Sequence, residues 1–264
     1  MAIPDPRPGA AALITGASSG IGAEAARQLA ARGHDLILVA RRRDRLDALA
    51  VELQAAGRRV EVLVADVADA AARTALLADL DALGLEIDVL IPCAGFGMGG
   101  PFLQADPARL ELLVRTNVEA VIALIRALAP AMAARHRGAI LIVSSIAGEA
   151  PMPNFGAYAA TKAAMTSLAE TLHWELGRSG ITVTALCPGG VRTEFAEVAE
   201  MTGAERRTPG ALMIDAPECV SAALAGLERG ERIVMPRAGV RAFAWFGAHA
   251  PRRVWLPLVG RMMS

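Results

Sequence analysis

The chain has 264 residues, 54% of them hydrophobic and 20% charged, with Lys plus Arg balancing Asp plus Glu at 27 each. This excludes a disordered polymer and leaves no global electrostatic pull toward nucleic acid. Cys93, Cys187 and Cys219 lie far apart without CxxC or other metal-ligand spacing, so neither a bound metal nor a disulfide framework is expected.

Met1–Pro8 carries prolines and charge rather than an apolar signal core, and no uninterrupted apolar run reaches bilayer length. A reduced, cytoplasmic protein is expected. From there, short Ile/Leu/Val-rich runs alternate with helical patterns. The predicted strands are Ala11–Thr15, Asp35–Ala40, Val60–Ala65, Val89–Pro92, Ala139–Ser144, Thr182–Cys187 and Arg232–Met235. The predicted helices are Ile21–Arg32, Arg43–Ala56, Ala70–Leu83, Pro107–Arg135, Ala157–Arg178 and Pro217–Arg229. Gly33, Gly57, Gly84, Gly138 and Gly180 follow helices, where a left-handed residue is often required. This alternation predicts one α/β domain over 1–264, a parallel sheet with right-handed crossovers and helices on both faces. Two stretches fit it poorly: the irregular Glu194–Asp215 and the arginine- and aromatic-rich Gly239–Ser264.

The first predicted strand runs into Thr15-Gly16-Ala17-Ser18-Ser19-Gly20-Ile21-Gly22. Glycines there permit a tight turn and close backbone approach to a pyrophosphate, with the following helix N-terminus pointing its free N–H groups at the phosphates. The spacing is G-x-x-x-G-x-G and no P-loop lysine follows; a purely structural βα turn is the alternative. After the second strand comes Arg41-Arg42-Arg43, where an acidic residue would accept the ribose hydroxyls of NAD. Guanidinium groups at that place suit a 2′-phosphate, so NADP(H) is preferred; a solvated helix start is the other reading, and fits Arg43. Asp66-Val67 closes the third strand, placed to line an adenine pocket or to serve a turn.

The only Tyr and the only Lys share one motif, Tyr158-Ala-Ala-Thr-Lys162. Residues i and i+4 lie on one helix face, and a nearby ammonium lowers a phenol pKa, which makes Tyr158 a general acid for reduction and base for oxidation. Ser145, at the end of the fifth strand, is placed to hold a carbonyl oxygen beside it. No His–Asp pairing serves these serines, which argues against a hydrolase triad. Asn117 sits mid-helix, as a buried polar link or as a capping or solvent-facing residue.

Together these residues resemble the short-chain dehydrogenase/reductase family. The matching motifs are the Thr15–Gly22 turn, Asp66-Val67, Ala94-Gly95, Asn117, Ser145, Tyr158-x-x-x-Lys162 and Pro188-Gly189-x-Val191-x-Thr193, in family order over roughly two-thirds of the chain. The resemblance implies a doubly wound Rossmann fold, with a seven-stranded parallel sheet in order 3-2-1-4-5-6-7. It implies metal-free hydride transfer between a nicotinamide and a carbonyl or alcohol. Tyr158 is then the acid/base and Ser145 positions the substrate oxygen. Lys162 binds the nicotinamide ribose and lowers the Tyr158 pKa, and Asn117 supports a water-linked relay through Lys162. Gly16, Ser18, Ser19, Gly20, Ile21, Gly22, Asp66, Val67, Ala94 and Gly95 hold the dinucleotide, and Pro188, Gly189, Val191 and Thr193 reach the carboxamide. Arg41 resembles the NADP(H)-selecting residue, with Arg42 assisting. One departure is Pro92-Cys93 where the family usually has two asparagines; their hydrogen bonds must be replaced or absent. Cys93 reads as a small buried residue ahead of a reactive thiol.

Phe96, Met98, Met152, Phe155 and Phe195 are the expected substrate walls, apolar throughout, with Val198, Met201, Leu212 and Met213 on a lid-like 194–215 segment. They predict a hydrophobic ketone, aldehyde or secondary alcohol; pairing of an acidic substrate with Arg206 or Arg207 would contradict this. For the aromatic, basic tail, packing over the pocket or in a subunit interface is placed ahead of a membrane surface, because Pro251 and Pro257 interrupt a long amphipathic helix. The resemblance suggests a homodimer or homotetramer built on the Pro107–Arg135 and Ala157–Arg178 helices. A non-catalytic NADP(H)-binding regulator or scaffold on the same fold is the competing function, with Pro92-Cys93 and the tail in its favour.

Overall fold

The computed structural model describes residues 3–199 and 210–262. The apolar runs become strands because each is buried on both faces. In β1 (Ala10–Thr15) and β6 (Ile181–Leu186) every side chain is buried. With β2 (Asp35–Ala40), β3 (Val60–Val64), β4 (Glu86–Pro92), β5 (Gly138–Val143) and β9 (Ile233–Val234) they form a seven-stranded sheet in order β3-β2-β1-β4-β5-β6-β9. All six pairings are parallel. The expected order is present, but its last strand is the ninth in the chain. β7 (Gly190–Arg192) and β8 (Met213–Asp215), absent from the sequence reading, pair as a separate two-stranded sheet.

Strand alternation divides the core in two. Ala12, Ile14, Leu36 and Leu38 face α1 (Gly20–Ala31), α2 (Arg43–Ala55) and α8 (Ala216–Glu228), meeting Leu29, Leu46 and Leu224. Ala11, Leu13, Ile37 and Val39 face the opposite layer, built from α3 (Ala70–Leu83), α5 (Ala120–Ala134) and α6 (Gly156–Gly177), meeting Leu76, Leu124 and Met165. Asp69 caps α3 by accepting from Ala72 N at 2.7 Å, and Asp106 caps α4 (Pro107–Val114), where Pro107 occupies the first turn.

Two expectations change. The predicted helix Pro107–Arg135 is α4, a π turn at Arg115–Glu119 and α5. The extra residue of the π turn aims Asn117 inward, where it is buried. Gly33, Gly57, Gly84 and Gly180 do take positive φ, but Gly138 does not. His136 makes that left-handed turn, and Gly138 opens β5. Its missing side chain serves packing instead, since a Cβ there would lie 2.8 Å from Met132 Sδ.

The tail forms two helices, α9 (Ala238–His249) and α10 (Arg252–Met262), with Pro251 between them and Pro257 inside the second. Phe243 and Trp255 pack edge to face at 4.9 Å. Trp255 Nε1 donates to Pro151 O at 2.8 Å, and a Cβ on Gly247 would strike Ala150. The tail therefore lies over the segment between Ser145 and Tyr158. A short helix, α7 (Phe195–Val198), begins the lid-like segment; Met201, Arg206 and Arg207 lie outside the described residues.

Candidate active site

The site is assembled at the carboxyl ends of the strands, where open α/β sheets bind ligands. Gly16 has φ +69°, and a Cβ on it would sit 2.8 Å from Ala94 N; one on Gly22 would sit 2.4 Å from Gly16 O. The turn is thus closed so tightly that Gly16 and Gly22 leave no room for a side chain. Ser19 caps α1 with extended backbone and makes no side-chain cap bond, so the first N–H groups of that helix are available to an anion. Ile21 packs on the core beneath. Arg42 spans the turn, donating to Ser18 Oγ at 3.0 Å and Ser19 Oγ at 2.8 Å. It also pairs with Glu194 at 3.0 Å, and Arg45 pairs with the same carboxylate. Arg41 points elsewhere: its side chain is exposed and lies 3.8 Å from Asp66. Arg42, not Arg41, is the guanidinium that the fold brings onto the glycine turn. Asp66 Oδ1 accepts from Ala68 N, so it shapes its own turn, and Val67 is buried with its carbonyl held by Arg73.

Thr15 ties the first strand to the segment after the altered Pro92-Cys93 pair. Thr15 stands opposite Pro92 in the β1–β4 ladder, and its Oγ1 accepts from Ala94 N at 3.1 Å. A polar residue ending an otherwise apolar strand was the available signal for this role. The Cys93 thiol is pushed up to about 11 by burial, which makes it a poor nucleophile at neutral pH. Beyond it, a Cβ on Gly95 would lie 3.0 Å from Asn117 Oδ1 and 3.8 Å from Lys162 Nζ. Asn117 is the buried polar link. Its Oδ1 accepts from Phe96 N at 3.1 Å, and its Nδ2 donates to Phe96 O at 3.0 Å and Thr161 Oγ1 at 3.2 Å. Thr161, not foreseen, passes the connection on to Tyr158 O at 2.7 Å.

Ser145 Oγ accepts from Ala147 N at 3.1 Å, which fixes the hydroxyl at the end of β5. Next to the Tyr158 phenol, that hydroxyl draws its pKa down. Burial nevertheless dominates and pushes Tyr158 up to about 12. The expected lowering by Lys162 is not found. The amine lies 5.7 Å from the Tyr158 ring centroid, donates to Val143 O at 2.8 Å, and is itself pushed down to about 8 by burial. Ser144, also unforeseen, donates to Lys162 O at 2.8 Å and bonds Thr166 at 2.7 Å, pinning α6 to β5. Gly148 makes this contact possible: a Cβ there would be 2.7 Å from the Lys162 backbone.

Pro188 closes the floor by accepting from Ile146 N at 2.9 Å, and Val191 lies in β7. Gly189 passes under Leu212 so closely that a Cβ would be 2.2 Å from Leu212 O. Thr193 accepts from Phe195 N and rests its methyl against Gly20. Phe96, Met98, Met152, Phe155 and Phe195 all join one apolar cluster with Tyr158, and Leu113 completes it. Phe195 lies 5.7 Å from the tyrosine ring and, with Gly97 beneath it, covers the phenol. Among the described residues no group of His, Cys, Asp and Glu could hold a metal ion. The arrangement gathers a protonated phenol, a hydroxyl and a buried amine beside an apolar cluster, with Gly95 next to Asn117 and Lys162 and Gly16 against Ala94.

Known proteins share this plan. The short chain dehydrogenase family model matches residues 10–202. Oxidoreductase UcpA of Escherichia coli is 39% identical over 190 residues, 72% of each chain. A short-chain dehydrogenase from Sphingobium yanoikuyae, solved in complex with NADPH, is 39% identical with a TM-score of 0.81, covering 90% of this chain and 93% of that one. The bulky-bulky ketone specific alcohol dehydrogenase from Comamonas testosteroni is 34% identical with a TM-score of 0.75, covering 86% of both. With the glycine turn, Asn117, Ser145, Tyr158 and Lys162 brought together on a sheet of this order, the chain belongs to the short-chain dehydrogenase/reductase family of oxidoreductases.

Proposed function

We propose that the protein is an NADP(H)-dependent oxidoreductase that moves a hydride between nicotinamide and an apolar carbonyl or secondary alcohol. The carrying observation is the Tyr158 phenol beside the Ser145 hydroxyl, set in the Phe96–Met98–Met152–Phe155–Phe195 cluster and near the buried Lys162 amine. The bound dinucleotide supplies or accepts the hydride. In the reductive direction Tyr158 Oη gives its proton to the developing alkoxide, which Ser145 Oγ holds in place. With the phenol pushed up to about 12, it stays protonated at neutral pH, as an acid must. Lys162 holds the ribose through its buried amine. Asn117 keeps the Phe96 backbone and Thr161 in register beside it.

Arg42 on Ser18 and Ser19 supports selection of the 2′-phosphate, and the NADPH complex of the Sphingobium relative supports the same cofactor. The ketone specificity in the name of the Comamonas relative agrees with apolar walls. A non-catalytic cofactor-binding role rests on the altered Pro92-Cys93 pair and the tail, whereas the Asn117, Ser145, Tyr158 and Lys162 set favours an enzyme, since a pure sensor needs no acid/base arrangement. Exposed Leu112, Val114, Ile122 and Trp174 support self-association through the α4–α5 and α6 helices.

The test is cofactor oxidation with NADPH and NADH over aldehydes, cyclic ketones, diketones and quinones, with Tyr158→Phe alongside. NADPH consumption exceeding NADH consumption, and falling by about 10²–10⁴ in the variant, is the expected result. Turnover that survives Tyr158→Phe refutes the acid/base assignment.

A further inference from the structure

The outer face of the C-terminal helices carries a chemistry that neither folding nor hydride transfer uses. In α9, Val240, Ala244 and Gly247 are buried, at a spacing that lays one stripe of the helix on the body. The opposite stripe presents Trp245, 59% exposed, and Phe246, 60% exposed, packed edge to face at 5.4 Å. In α10, Trp255 and Val259 face inward, while Val254, Leu256 and Leu258 remain exposed. Exposed large apolar side chains concentrated on one short element mark an interaction surface.

Charge identifies what that surface meets. From Arg232 to Ser264 there are six arginines and no Asp or Glu. Since the whole chain balances at 27 and 27, the preceding residues carry six surplus acids. Arg232 and Arg237 pair with Glu170 and Glu218. Arg241 and Arg252 donate only to backbone carbonyls. Arg241, Arg252, Arg253 and Arg261 have no carboxylate partner among the described residues. A twofold contact of this face with itself would set arginines against arginines, since such a contact matches a patch to its own copy. An anionic bilayer surface instead satisfies the guanidinium groups with phosphates and takes the tryptophan and phenylalanine at the headgroup level. No described helix is long and apolar enough to cross a membrane, so the contact is peripheral.

We infer that α9 and α10 form a docking surface for anionic phospholipid membranes. The acidic remainder of the molecule is repelled by the same surface, which orients the protein with its tail toward the lipid. Because the tail sits on Ala150 and Pro151, between Ser145 and Tyr158, the apolar site is held close to the bilayer. The docking itself stands without the hydride-transfer reading.

The experiment is co-sedimentation of the full chain with vesicles of phosphatidylcholine alone and of phosphatidylcholine mixed with phosphatidylglycerol. The wild type, Trp245→Ser/Phe246→Ser and Arg253→Ser/Arg261→Ser are compared, with thermal melts and sedimentation velocity on each. Binding to the phosphatidylglycerol vesicles is expected, weakening as salt rises. Each arginine removed should lower the partition coefficient about fivefold. The aromatic pair should lower it at least as much, with melting temperatures unchanged. Equal binding to both vesicle types, binding to neither, or indifference to both variants overturns the proposal. So does conversion of an oligomer to a smaller species by Trp245→Ser/Phe246→Ser, which would make the face an interface between copies.

Discussion

Lys162→Met should make the protein inactive yet, at neutral pH, no less stable. The amine is buried and its pKa falls from 10.5 to about 8, with desolvation the main cause. That drop corresponds to about 3 kcal/mol of destabilisation of the folded state while the lysine is charged in the unfolded chain. The sign follows from proton uptake. Between pH 8 and 10.5 the unfolded chain holds a proton on Lys162 that the folded one has released. The penalty is therefore full below about pH 8 and disappears as pH rises toward 10.5. Methionine removes the penalty but leaves Val143 O without its 2.8 Å donor, a loss of about 1–3 kcal/mol that does not depend on pH. The two effects nearly offset at about pH 7. The stability difference between the proteins should then move by about 2 kcal/mol toward the wild type between about pH 7 and about pH 9.5. Urea unfolding of both proteins at the two pH values measures it, and taking the difference cancels groups common to both. A difference that stays flat, or moves toward methionine at high pH, refutes the reasoning.

Arg42→Ala should raise KM for NADPH roughly tenfold or more while leaving KM for NADH nearly unchanged, and Arg41→Ala should do distinctly less; steady-state kinetics with both cofactors decide it. Thr15→Val, which strands the Ala94 N–H, should lower stability by about 1–3 kcal/mol in denaturant melts and weaken cofactor binding in titrations. Gly148→Ala forces a Cβ into the Lys162 backbone and should cost about 1–3 kcal/mol, with a fall in kcat larger than the stability loss explains.

The sheet and most of the site were readable from the sequence for identifiable reasons. Strands buried on both faces leave unbroken apolar runs, and glycine turns leave fixed spacings. A chain with one Tyr and one Lys, four residues apart, leaves little doubt where to look. What was not readable depends on contacts distant in sequence. Whether Arg41 or Arg42 reaches Ser18 is set by how the chain enters α2. The π turn at Asn117 is selected by partners on Phe96 and Thr161, which no local pattern encodes. The tyrosine pKa rises because elements far along the chain, Phe195 among them, bury the ring; the i, i+4 amine alone suggested the opposite. Gly138 looked like a helix terminator because position after a helix was visible, whereas the Met132 side chain pressed against it was not.

The parallel sheet has a seam. β4 follows β1 up to Thr15 and Pro92 with one register shift between Ala11 and Ala12, and β5 follows β6 from end to end, but β4 and β5 are registered only at Val89 and Leu90. The division of labour falls along this line. Gly16, Gly22, Arg42 and Ala94 belong to one block, and Ser145, Tyr158 and Lys162 to the other. Asn117, reaching Phe96 on one side and Thr161 on the other, is a stitch between them. A ligand that grips both blocks acts as a rivet, so its binding free energy adds to the cohesion of the junction. Amide protons flanking the seam should accordingly be those whose exchange slows most when such a ligand is present.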